Sequence, residues 1–334
     1  MCQKMTGQEP AASTAQGMTA STTSDVETDF VELRGLLFSI AYQMTGSVAD
    51  SEDIVSEAYL RMRGARERGV EIRSAKAYLS STVTRLSIDH LRSARVQREV
   101  YVGSWMPEPL VGDASAAEFE RVELADSLSL AFLVMLESLT PAERAVFVFR
   151  EVFVFDYPQI ARILDKSEAS CRQLLRRARQ QVEARRPRFD VDREANKMLA
   201  DRFFNALEHG DLEPLIDLLS ADVVLCGDGG GDGPSWRRPF NGRDRVMKVL
   251  TALVKMYAKY SLHVEQTLVN GQPGAVVRDP EGKLLNVWAI DIADGRIQTL
   301  RSILNPAKLQ HLGPLIQPGQ PVRSTPKTKG NRDA

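Results

Sequence analysis

A change of grammar near Pro187 constrains this chain more than any other feature. Before it, apolar residues recur at three- and four-residue steps, the period of helices with one buried face. Beyond about residue 220 they fall into short runs of strand length, separated by the turn pairs Asn270-Gly271, Glu281-Gly282 and Asp294-Gly295. A helical period does not settle into a sheet, so the two halves must fold as different architectures. The 334 residues exceed one average domain, since a domain takes about 100–200, and the seam gives a helical part followed by an α+β part.

In the helical part, Phe30, Leu33, Leu37, Ile40, Ala41 and Met44 lie on one stripe that Gly46 terminates. A second helix after Ser47 turns Ile54, Ala58, Tyr59 and Met62 inward and displays Asp50, Glu52, Asp53 and Glu57 outward. A third, over residues 74–98, has Tyr78, Leu79, Val83, Leu86, Ile88 and Leu91 as its apolar side. It carries five basic residues, Lys76, Arg85, Arg92, Arg95 and Arg98, against Asp89 alone, a local +4. The net charge of the whole chain is −1, so any affinity for a polyanion rests on this segregation and not on the total.

Periodicity lapses over residues 99–117, where Gly103, Pro107, Pro109 and Gly112 mark a linker with Trp105 as its odd member. Helical spacing resumes through Leu139, and Thr140-Pro141-Ala142-Glu143 supplies an N-cap, a proline at the first helical position and a capping-box glutamate. Two more helices, over 157–164 and 167–185, joined by Asp165-Lys166, complete a helix-turn-helix layout. On the last of them Cys171, Leu174, Leu175, Ala178 and Val182 form the packing stripe, which leaves Arg172, Gln173, Arg176, Arg177 and Arg179 to face outward. Nine basic against three acidic residues over 157–188 give a local +6, the sign that a phosphate backbone requires. A helix capped by Ser167 with such groups can enter a major groove.

After Pro187 a helix carrying Leu199, Phe203, Phe204 and Leu207 ends at Gly210, and a shorter one holds Leu215, Ile216 and Leu219. Strands are expected over 223–226, 262–269, 275–278, 284–291 and 297–304, interrupted by a helix over 243–260, with the helices on one curved antiparallel sheet. Cys2, Cys171 and Cys226 form no pair of metal-ligand spacing and fit a reducing, cytoplasmic setting; no apolar run reaches the ~20 residues of a membrane span. The first 24 residues and those after 315 read as disordered tails, and Met18 is an alternative start.

The elements Ala41-Tyr42-Gln43-Met44-Thr45-Gly46-Ser47 and Asp50-Ser51-Glu52-Asp53-Ile54-Val55, with Ala77-Tyr78-Leu79 further on, resemble sigma region 2. Leu139-Thr140-Pro141-Ala142-Glu143-Arg144 and Tyr157-Pro158-Gln159-Ile160-Ala161 resemble sigma region 4. The resemblance is to extracytoplasmic-function sigma factors, and it implies binding to core RNA polymerase, at its β′ clamp and β flap, and to promoter DNA. Asp50, Asp53 and Glu57 then match the polymerase-binding surface, and Arg85, Asp89, Arg92 and Arg95 the segment that contacts and opens the −10 element. Region 4 carries the −35 reading helix with Arg172, Gln173, Arg176, Arg177 and Arg179; Tyr78 and His90 are open between base contacts and, for Tyr78, a place in the core.

The segment 193–309 resembles the SnoaL-like branch of the cone-shaped NTF2-like fold, found in a sigma subgroup that carries it in place of a separate anti-sigma factor. Three elements support this and imply regulatory contacts with the sigma modules: Trp105-Met106-Pro107-Glu108-Pro109, Asp228-Gly229-Gly230-Gly231 and Asn305-Pro306-Ala307-Lys308-Leu309, the last with Ala307 where Asp is usual. The expected partition is a tail over 1–26, region 2 over 27–98, a linker over 99–122, region 4 over 123–188, the SnoaL-like domain over 193–312 and a tail over 313–334. The chain is expected to be no enzyme and to need no cofactor or metal, with an unknown small ligand in the cone left open. His209, Asp217, Asp222, His263 and Asp291 are the available acid-base groups, and both histidines and Asp291 are expected at the surface. The alternatives are a ligand-responsive DNA-binding regulator without sigma activity, and an isomerase or cyclase anchored to DNA.

Overall fold

The computed structural model describes residues 16–98, 103–112, 126–183, 192–230 and 238–316. Three long helices come first: α1 (Gln16–Thr45), α2 (Val48–Glu67) and α3 (Ala75–Arg98). Ser47 caps α2 by accepting the Asp50 amide. The helix α1 begins inside the stretch expected to be a tail, because a helix nucleated by the packed residues after Phe30 propagates at one hydrogen bond per residue.

The second helical module holds α4 (Leu130–Leu136), α5 (Pro141–Phe147), extended by a wider turn over Val148–Val152, then α6 (Tyr157–Leu164) and α7 (Glu168–Glu183). Both Thr140 and Asp156 form complete capping boxes, with Glu143 and Gln159. Asp165 takes a left-handed conformation, φ 52°, and so makes the tight corner of the helix-turn-helix. One continuous core joins the two modules, running from Leu37, Ile54 and Val83 to Phe149, Ile163 and Leu175.

In the C-terminal part α8 (Arg193–His209), α9 (Glu213–Leu218) and α10 (Arg243–Tyr260) accompany six strands: β1 (Leu219–Asp228), β2 (Phe240–Asn241), β3 (His263–Val269), β4 (Gln272–Arg278), β5 (Leu284–Ala293) and β6 (Arg296–Ile303). A short helix, α11 (Pro306–Leu309), follows. The strand order is β2-β1-β6-β5-β4-β3. The sheet is mixed and not antiparallel as expected, because β1 runs parallel to β6. Turn pairs specify the hairpins from β3 to β6, but they carry no information about β1, which precedes α10 and pairs with β6 only after the chain has crossed the sheet.

Both faces of the sheet are covered. Trp288 and Ile290 of β5 and Ala275 and Val277 of β4 point into a core closed by Phe203, Phe204, Val246 and Leu250 of the helices. The alternate residues Val287, Ala289 and Val276 point the other way, onto a second core with Met106 and Leu130. Period-2 side-chain alternation thus turns a near-continuous apolar run into two apolar faces. The second face binds the linker between the helical modules.

Candidate nucleic-acid interface and its linker clasp

On α7 the stripe Cys171, Leu175, Ala178 and Val182 is buried, and Arg172, Gln173, Arg176, Arg177 and Arg179 are all exposed. Leu174 is half-buried at the edge of the stripe. Arg172 pairs with Glu168 at 2.8 Å and lies 4.3 Å over the Tyr157 ring, and Arg179 pairs with Glu151 at 2.7 Å. These exposed pairs are each worth about 0–1 kcal/mol, so phosphates can replace the carboxylates. The Glu151 carboxylate holds the Arg179 guanidinium above its ordinary pKa.

On α3, Arg85, Asp89 and Arg92 are exposed, with Arg92 and Asp89 3.4 Å apart; the Arg95 side chain lies outside the described residues. Tyr78 is half-buried with its hydroxyl on the Arg61 carbonyl at 3.4 Å, and His90 Nε2 faces Asp50 at 3.3 Å. Of the acidic face of α2, Asp53 is exposed, Glu57 pairs with Arg61 at 2.7 Å, and Glu52, still 41% exposed at its side chain, pairs with Arg34 of α1 at 2.8 Å.

These two surfaces belong to modules that touch directly. The Ser81 hydroxyl of α3 donates to the Ile163 carbonyl of α6 at 3.1 Å. Arg144, 2% exposed, donates through Nε to the Gln43 carbonyl at 2.8 Å and pairs with Glu137.

The linker is clasped from both sides. Glu108 caps α2: its Oε1 accepts the Ser47 hydroxyl at 2.9 Å and its Oε2 the Val48 amide at 2.7 Å, a carboxylate at the positive end of a helix. Its own amide donates to the Gly46 carbonyl at 2.8 Å. Gly46, φ 70°, lets Trp105 and Pro107 approach, since an added Cβ would stand 2.9 Å from the indole.

From the sheet side, Asp228, fully buried, accepts the Met106 amide at 2.8 Å and pairs with Lys308 at 2.6 Å. Lys308 also donates to the Met106 carbonyl and sits 4.4 Å over the Trp105 ring. Asn305 caps α11 through the Ala307 amide at 3.0 Å, and Gly230, φ 75°, leaves it room, because an added Cβ would lie 2.6 Å from Asn305 Oδ1. Ala307 itself is exposed, and the element is held by the Asn305 cap on its amide and by Lys308 on Asp228. Pro306 fills the first turn of α11, Leu309 is buried in the second core, Gly229 is buried and Pro109 accepts from His311 Nε2 at 2.8 Å. Gly231 lies outside the described residues.

The residue at the centre of the clasp is Asn270, read from sequence as half of a turn. It is 2% exposed with φ 53°. Its Oδ1 accepts the Leu110 amide at 3.0 Å, and its Nδ2 donates to the Tyr42 hydroxyl at 2.8 Å and the Leu128 carbonyl at 2.9 Å. The Tyr42 hydroxyl donates in turn to the Glu108 carbonyl at 2.6 Å, and burial pushes its pKa well above the ordinary tyrosine value. One amide therefore ties α1, the linker, the start of the second module and the sheet together. No local pattern distinguishes it from any other Asn-Gly turn.

Among the candidate acid-base groups of the sheet domain, His209, Asp217, Asp222 and His263 are exposed. Asp291 is a correction to the expected exposure: it is buried and paired with Arg301 across β5 and β6. Among the described residues no cluster of metal-ligating type forms, and no helix is long and apolar enough to cross a membrane.

Residues 30–96 match the model of Sigma-70 region 2, and residues 129–182 that of Sigma-70, region 4. Two such modules in this order define a sigma-70-type transcription initiation factor. The chain is 36% identical over 289 residues to ECF RNA polymerase sigma factor SigJ of Mycobacterium tuberculosis, covering 84% of this chain and 92% of that protein. It is 31% identical to the probable ECF RNA polymerase sigma factor SigI of the same species, over 84% of this chain and 93% of the relative. The crystal structure of M. tuberculosis SigJ superposes with a TM-score of 0.68 at 33% identity, covering 85% of this chain and 98% of that one. The chain belongs to the extracytoplasmic-function family of RNA polymerase sigma factors. It binds core RNA polymerase and directs promoter-specific initiation, with two helical modules followed by an α+β domain.

Proposed function

We propose that the C-terminal domain holds the two DNA-reading modules in a closed arrangement by clasping their linker, and that promoter recognition requires the clasp to open. In this reading α7 reads the −35 element through Arg172, Gln173, Arg176, Arg177 and Arg179. Arg85, Asp89, Arg92 and Arg95 of α3 serve the −10 element, and Asp50, Asp53 and Glu57 meet the β′ clamp, with region 4 on the β flap.

The carrying observation is the direct packing of α3 on α6, with Ser81 Oγ and Ile163 O 3.1 Å apart. Elements centred at −10 and −35 are separated by about 25 base pairs, about 85 Å at ~3.4 Å per pair. Surfaces on two modules packed this closely cannot reach both, so the modules must part. The Asp228–Lys308 and Asn270 contacts fix the linker that would have to extend.

The test is run-off transcription with core polymerase on a mapped promoter, comparing the full chain with one ending at residue 190. Altered output with retained promoter binding is expected. Unchanged output refutes regulation by the clasp, and absence of any promoter-dependent transcript from both chains refutes the assignment of the two DNA surfaces.

A further inference from the structure

The sheet domain carries as many cations as anions, 15 Lys and Arg against 15 Asp and Glu over residues 193–312, yet they are not evenly spread. The helix α10 holds five of the basic residues and one acid, Asp244, which sits in its first turn where the helix dipole favours it. Arg243 is used internally, donating to the Leu219 carbonyl at 2.8 Å. The other four, Arg245, Lys248, Lys255 and Lys259, are exposed and, with Ala252, fall at steps of three and four residues on the face opposite the buried Val246, Leu250 and Tyr257. None of the four makes an ion pair among the described residues; Lys259 lies over the Tyr260 ring at 5.0 Å. An ordinary solvated face interleaves both signs, and a single-sign row on a neutral domain projects a field suited to a polyanion.

We infer that this stripe of α10 is a third, sequence-independent DNA contact, which grips the phosphate backbone of the promoter duplex. The argument is charge and length. From Arg245 to Lys259 the stripe runs about 21 Å at ~1.5 Å per residue. One strand of a duplex presents about six phosphates over that length, at one per ~3.4 Å of axis. Lysine and arginine on flexible stems match such a row without reading bases, and a chain that binds promoter DNA through its helical modules brings that polyanion to its own C-terminal domain. The sheet domain thus holds a binding surface of its own, separate from the linker clasp on the other side of the sheet.

The experiment is fluorescence anisotropy of the full chain on a 30-base-pair duplex of random sequence, from about 50 to 200 mM salt. The wild type is compared with a variant carrying Arg245→Gln, Lys248→Gln, Lys255→Gln and Lys259→Gln. Each phosphate contact contributes ~0.9 to the slope of log affinity against log salt, so the variant slope is expected to be shallower by about 3–4. The wild type then loses about 100-fold more affinity than the variant across that range. A charge-keeping chain with Lys248→Arg, Lys255→Arg and Lys259→Arg retains the wild-type slope. Should the fourfold variant fail to fold, the single changes Lys248→Gln and Lys255→Gln each carry the test, with an expected slope change of ~0.9. An unchanged slope in folded variants overturns the inference. An unchanged slope with weakened retention on core polymerase overturns it equally and assigns the stripe to an acidic protein surface. Random duplex keeps this outcome independent of whether α7 reads a −35 element.

Discussion

Replacing Asn270 by glycine removes one buried side chain and three hydrogen bonds, to Leu110, Tyr42 and Leu128, while leaving the backbone at φ 53° unstrained. Each of these bonds contributes about 0.5–1.5 kcal/mol net, so the closed clasp loses about 3 kcal/mol relative to an open one in which water satisfies the same groups. At 1.4 kcal/mol per decade that shifts the opening equilibrium about 100-fold. The readout is amide hydrogen exchange at Leu110 and Gly112, whose N–H groups donate to Asn270 Oδ1 and to the Leu268 carbonyl. Where closing outpaces exchange, the rates follow that equilibrium and should rise by the same factor, about 100-fold. Asn270→Ala should rise further, because a Cβ in the left-handed region adds about 1–2 kcal/mol. Unchanged protection of both amides in a folded Asn270→Gly chain refutes the view that this residue holds the linker.

Three further outcomes are expected. Asp228→Asn removes the counter-charge of the Lys308 ammonium, which is 9% exposed and retains only the Met106 carbonyl and the Trp105 ring of the contacts described, and urea denaturation should register a loss of about 3–5 kcal/mol; a loss within error would mean the pair is not desolvated. Arg176→Ala should weaken binding to a −35 duplex and lower its salt slope by about 1, measured by anisotropy; an unchanged affinity would put the reading face elsewhere on α7. Tyr257, buried with its hydroxyl oxygen accepting from Trp288 Nε1, has its pKa raised from 10.0 to about 12 by desolvation. The folded chain therefore keeps a proton that the unfolded chain releases, so this contribution is complete below pH 10 and is lost as pH rises from 10 towards 12. Urea midpoints at pH 9 and 11 should fall in that direction, and a flat profile would contradict the burial.

Helix boundaries were legible wherever local chemistry sets them. Thr140 with Glu143 caps as its spacing implies, since a cap is an interaction over three residues. The outward arginines of α7 followed by subtraction from an apolar stripe, and the strands from β3 to β6 followed from their turn pairs. Less legible was anything that one side chain does to a distant one. Asp291 was expected at the surface and is buried against Arg301 on the neighbouring strand. The parallel pairing of β1 with β6 lay beyond the reach of patterns that only describe neighbours in sequence.

By itself, then, the sequence determined two helical modules, a helix-turn-helix with a basic face, and a change to strand periodicity, because period, capping and turn chemistry act over a few residues. Tertiary structure alone decided that an Asn-Gly turn at 270 would bond to a tyrosine 228 residues earlier, and that Asp228 would meet the linker 122 residues away. Such contacts arise when a sheet with two apolar faces closes one face over the linker, and the polar groups buried in doing so must find partners wherever the chain happens to place them.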